Sequence, residues 1–135
     1  MSFMFYGCSS LKELNVTNFN TNNVTDMSGM FSKCLSLKEL NVTNFNTNKV
    51  INMRSMFYEC SSLKELNVTN FNTNNVIDMS HMFSYCSLKE LNLINFNTNK
   101  VRYMGGMFYC CSDNMKRRIK SENRNIKNEA FDYWW

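Results

Sequence analysis

The segment LKELNVTNFNTN occurs unchanged at residues 11–22, 37–48 and 63–74, and with two substitutions, as LKELNLINFNTN, at 88–99. Aligned on the dipeptide Met-Phe, the copies begin at Met4, Met30, Met56, Met82 and Met107, with spacings of 26, 26, 26 and 25 residues. The last interval is shorter because CSSL or CLSL has become CSL at Cys86–Leu88. A fixed period of this length constrains the fold more than any other property of the chain. One copy is too small to enclose a core. Copies laid side by side put Leu on Leu and Phe on Phe, so that neighbour contacts supply the stability.

Within a copy, Leu14 and Val16 alternate with Glu13 and Asn15, which predicts a short strand with one buried side. Val24, Met27, Met30, Phe31 and Cys34 have the spacing of one stripe on a short helix. Between them, TNFNTNN is rich in turn formers and carries Phe19 as an anchor. Asn18, Asn20, Asn22 and their copies are expected to form side-chain ladders that satisfy backbone groups in the turns. The expected fold class is an α/β repeat solenoid, with one short strand and one short helix in each coil of about 26 residues. The copies also alternate. Odd ones carry Tyr after Met-Phe and Asn before Val (Tyr6, Asn23), whereas even ones carry Ser and Lys (Ser32, Lys49), as expected from duplication of a two-coil unit.

The solenoid is expected to span residues 1–112, and residues 113–135 to form a helical C-terminal cap over its last apolar edge. Ser112 or Asp113 can N-cap a helix. Met115 with Ile119, and Ile126 with Ala130 and Phe131, supply two apolar faces. Trp134 and Trp135 are expected to pack against this cap, the alternative being an exposed aromatic hook for a partner.

An apolar share of 44% argues against disorder. The net charge of +4 divides evenly, with +2 in 1–111 and +2 in 112–135, which is too mild and too mixed for a nucleic-acid surface. Lys116, Arg117, Arg118 and Lys120 read as a solvated helix face. No stretch approaches the roughly 20 apolar residues of a membrane span, and no signal peptide is visible at the start. The expected location is therefore intracellular if the chain is complete, and the cell surface or outside if it is a fragment.

Catalysis needs unlike groups converging at one place, and this chain repeats like groups along a line. Five cysteines (Cys8, Cys34, Cys60, Cys86, Cys111) share one repeat position and Cys110 is extra, which predicts a buried row of reduced thiols rather than disulfides or a metal site. His81, the single histidine, stands where other copies have Gly29 or Ser55 and is expected to be exposed and non-catalytic. No enzymatic activity, cofactor or metal is expected. The candidate contact strip is Glu13, Asn15, Glu39, Asn41, Glu65, Asn67, Glu90 and Asn92, lined up on the predicted strand face with Lys12, Lys38, Lys64 and Lys89 beside it; the same pattern equally suits a solvated, charge-balanced face.

The full pattern, LxxLxVxxFxTxxVxxMxxMFxxCxSL, resembles the BspA-like leucine-rich repeats of bacterial lipoproteins and surface proteins, known as DUF285. NVTDMSGMF at 23–31 is its most distinctive stretch, and the resemblance covers about residues 1–112. It implies a leucine-rich-repeat-like solenoid and roles in adhesion or protein interaction. Phe19 stands where better-known leucine-rich repeats carry Asn. Together these features lead to the expectation of a monomeric, non-enzymatic protein–protein interaction module whose partner is another protein. The alternative is a structural or adhesive surface protein, as a fragment of a longer adhesin.

Overall fold

The computed structural model describes residues 1–132. The expected packing of Trp134 and Trp135 lies outside the described residues. Two short parallel strands, β1 (Glu13–Leu14) and β2 (Glu39–Leu40), pair with Glu13 opposite Glu39 and Leu14 opposite Leu40. One α-helix, α1 (Asp113–Glu122), and a 3-10 turn at Asn128–Ala130 complete the regular elements among the described residues.

The expected helix in each copy is not formed. Residues 53–60 show why. The N–H groups of Met53, Ser55, Phe57 and Glu59 donate to carbonyls of the next copy (Asp78, Ser80, Met82, Ser84) at 2.9 to 3.0 Å. The alternate N–H groups of Met56, Tyr58 and Cys60 close local turns onto Met53, Ser55 and Phe57 at 3.2 Å. An α-helix would spend all these donors internally. Here every second donor is turned outward by left-handed residues at two fixed positions, Ser55 (φ 54°) and Glu59 (φ 56°) in this copy. The apolar spacing of three that suggested a helix stripe is equally the spacing of consecutive turns.

The strands are also sparser than one per copy, since the equivalents of β1 in the third and fourth copies are not strands. Each strand can hold only two residues, because a side-chain-closed turn begins at Asn15 or Asn41 immediately after it. Elsewhere, successive copies are joined by single parallel bridges, Asp26 to Asn52, Asn52 to Asp78 and Asp78 to Tyr103.

The core follows the period. Phe5, Phe31, Phe57, Phe83 and Phe108 form a column of offset rings with centroids 5.6 to 5.9 Å apart and planes within 8° of parallel. Phe131 extends the column past Phe108 at 5.3 Å. The Asn ladders expected from the sequence are present: Asn46, Asn72 and Asn97 donate from Nδ2 to Oδ1 of Asn22, Asn48 and Asn74 at 2.9 to 3.0 Å. Buried Thr47 ties two copies together twice, donating to Asn72 O at 3.0 Å and accepting from Asn72 N–H at 2.8 Å.

Ser112 caps α1, its Oγ accepting from Met115 N–H at 3.2 Å. The helix buries Met115 and Ile119 in the same core. The segment after it takes up the bonding pattern of a further copy. Thr98 donates to Asn125 O, Gly106 N–H to Glu129 O, and Phe108 N–H to Ala130 O. Arg117, Arg118 and Lys120 face solvent, with the Lys120 ammonium 4.6 Å from the Phe131 ring centre.

Candidate functional site

The eight strip residues are all exposed, and parallel pairing puts Glu13 directly beside Glu39. Between successive rows lie shallow grooves of about 430, 530 and 460 Å³, floored by Leu40, Val42, Leu66 and Val68 and rimmed by the Glu and Asn side chains. The apolar floor and polar rim come directly from the period-two alternation of LKELNV.

The two residue types in the strip do different work. Oδ1 of Asn15, Asn41 and Asn67 accepts from the N–H two residues on at 3.0 Å and from the same Thr hydroxyl at 2.6 Å. Asn92 accepts only from Ile94 N–H, because the fourth copy has exchanged Thr for Ile. These oxygens close turns, which leaves the Nδ2 amides as what the asparagines can offer a partner. The glutamates keep their carboxylates outward. Glu90 is the exception, with Arg118 of α1 at 3.8 Å, a solvent-exposed pair worth under about 1 kcal/mol.

Ile94 was not singled out in the sequence reading. It sits beside Asn92 with 75% of its surface exposed, the most open large apolar side chain among the described residues. The signal for it was the departure of LNLIN from LNVTN.

The cysteine row is buried as expected, except at its first member. Cys34, Cys60, Cys86 and Cys111 are buried, Cys8 is half-buried, Cys110 is exposed, and all six are free thiols. Each buried thiol donates to the carbonyl of a phenylalanine one copy back: Cys34 to Phe5, Cys60 to Phe31, Cys86 to Phe57 and Cys111 to Phe83, at 2.9 to 3.2 Å. Burial pushes the Cys60 thiol up to about 12, and Cys34 and Cys111 to about 11. Nucleophilic chemistry needs the thiolate, so these groups are held in the unreactive form.

His81 is half-buried rather than exposed. Its ring folds over Gly106, where an added Cβ would come within 2.7 Å of the imidazole, so the glycine makes room for it. Ser84 donates its hydroxyl to Gly106 O, and His81 Nδ1 lies 3.3 Å from Ser84 Oγ.

The two-copy alternation has a bonding consequence. Lys49 Nζ donates to Asn23 Oδ1 at 2.7 Å, and Lys100 Nζ to Asn75 Oδ1 at 2.9 Å. A lysine in every copy would stack like charges about 5 Å apart; alternating Lys with Asn converts that repulsion into donor–acceptor pairs.

Among the described residues, no group of three or more His, Cys, Asp or Glu could hold a metal ion, and no helix is long and apolar enough to cross a membrane. A family model described as "Mycoplasma protein of unknown function, DUF285" matches residues 1–122. No curated protein and no solved structure matches the chain.

Proposed function

The chain belongs to the DUF285 family, whose function is unknown, and from that premise we propose that it is a short leucine-rich-repeat-like solenoid acting as a non-enzymatic protein–protein interaction module. Residues 1–112 are the solenoid and 113–135 its cap. Extended repeat surfaces recognise partners through periodic contacts. The observation that carries this reading is the exposed Glu row with apolar-floored grooves recurring between copies. The partner is a protein segment that sets cationic or amide groups against the glutamates and small apolar side chains into the grooves. In this reading the module works as a monomer.

The test is affinity capture from source cells with the wild-type chain and a Glu13→Lys/Glu39→Lys/Glu65→Lys variant of unchanged melting temperature. A partner captured by the wild type and lost from the variant supports the Glu face as the contact surface. A partner retained equally by both, or none captured by either, overturns that assignment.

A further inference from the structure

On the side of the molecule that carries the bridges from Asp26 to Tyr103, a cavity of about 370 Å³ is lined by Arg54, Asp78, Ser80, His81, Arg102, Tyr103 and their neighbours Met104, Gly105 and Glu129. Several residues that line it are peculiar to one copy. Arg54 stands where the other copies have Ser2, Ser28, Ser80 and Gly105. Arg102 replaces Thr25, Ile51 and Ile77. Tyr103 replaces Asp26, Asn52 and Asp78, and His81 replaces Gly29, Ser55 and Gly106. Four side chains, each peculiar to one copy, meet around one space.

Their chemistry is specific. Neither Arg54 nor Arg102 forms an ion pair with a carboxylate among the described residues, although Asp78 and Glu129 line the same cavity. Asp78 commits Oδ1 to Ser80, accepting from its N–H at 2.8 Å and its hydroxyl at 2.6 Å, which holds the carboxylate in place. Tyr103 is 60% exposed. His81 is kept neutral near pH 7, because burial lowers its pKa, Arg54 lowers it further, and Asp78 opposes them less strongly. Two guanidiniums thus supply the cavity's cationic charge, two carboxylates can accept hydrogen bonds from hydroxyls, and one aromatic ring offers a flat face.

We propose that this cavity, formed by Arg54, Asp78, Arg102, Tyr103 and Glu129, binds a monosaccharide-sized polyol that carries one carboxylate or phosphate. The anion lies between the two guanidiniums, whose planar donor forks match either group. The hydroxyls donate to Asp78 and Glu129, and the sugar's C–H face lies on Tyr103. The volume falls within the range of small-molecule sites.

The chain has one histidine, so the His81 imidazole C–H resonance is an unambiguous probe of the cavity. The full chain is titrated with D-glucuronate and with glucose 6-phosphate, using glucose and inorganic phosphate as controls. At least one anionic sugar should shift the resonance saturably, with a Kd of about 1 mM or tighter, and each control should bind at least about tenfold more weakly. A glucuronate response identifies a carboxylate ligand, and a glucose 6-phosphate response a phosphate ligand. The variant Arg54→Ser/Arg102→Ile carries residues that other copies hold at these positions, so it retains the fold and its melting temperature. It should lose the shift. No saturable shift up to about 10 mM of either anionic sugar overturns the proposal. A shift retained in the variant, or inorganic phosphate binding as tightly as the sugar phosphate, overturns it equally.

Discussion

Phe5 and Phe108 hold the same position in the first and last copies, yet Phe108 is completely buried and Phe5 only half-buried. At the C-terminal edge, Gly106 and Phe108 donate to Glu129 and Ala130, and Phe131 covers the last ring of the column. At the N-terminal edge, the carbonyls of Ser2, Met4 and Tyr6 receive no hydrogen bond among the described residues, while Phe3, Met4 and Tyr6 are about half exposed. Their equivalents Ser28, Met30 and Ser32 each accept from the copy before. The same residues are thus a satisfied interior in one place and an open edge in another. Order in this molecule is conferred by a neighbour, not by the copy itself.

The most severe way to break this comparison is to remove the covered edge. Deleting residues 113–135 takes away buried Met115, Ile119, Ile126 and Phe131. At about 1.5–3 kcal/mol per apolar side chain, the loss should exceed about 5 kcal/mol and rival the stability of a small domain. Calorimetry should show a collapse or large fall in Tm, with aggregation on size exclusion. A truncated chain that melts like the full one would remove the cap from the account.

Next in size, Phe57→Ala should cost about 3–5 kcal/mol and Phe5→Ala only about 1 kcal/mol, by urea titration of both. Equal costs would mean that the N-terminal edge is as well packed as the interior. Thr47→Val leaves the N–H and C=O of Asn72 without partners and should cost about 1–3 kcal/mol. Thr98→Val, at the joint with the cap, loses one bond to Asn125 O and should cost under about 1 kcal/mol.

The smallest effect at neutral pH belongs to the thiols. Unfolding lets Cys60 ionise from its ordinary value of 9.0, whereas the fold holds it protonated to about 12. The stabilisation is whole below pH 9 and is lost as pH rises towards 12, since in that window the unfolded state binds fewer protons. Cys60→Ala should flatten the fall of Tm between pH 9 and 12 relative to the wild type. A thiol reagent at pH 8 should label exposed Cys110 at once and Cys60 only on unfolding.

The repeat made much of this legible. Identical residues at a fixed period announced the phenylalanine column, the buried thiols and the Asn ladders, because a side chain stacked on its own copy depends on nothing distant in sequence. Ser112, Met115 and Ile119 were equally readable, since capping and i, i+4 burial are local rules. The local turns between Met27 and Cys34 misled, because spacing alone does not say whether an N–H closes inward or reaches the next copy. The double use of Asn15 had the same origin: its turn oxygen and its place in an exposed row coincide.

The amino-acid sequence by itself determined which residues lie on which, because periodicity fixes neighbours without reference to the rest of the chain. Only the tertiary structure decided the handedness of Ser55 and Glu59, which aims alternate donors outward. It also decided the folding of His81 over Gly106, the mimicry of a further copy by Asn125–Phe131, and the meeting of Arg54, His81, Arg102 and Tyr103. Those outcomes depend on where one copy's backbone donors find acceptors in the next. That geometry exists only once the copies are laid together.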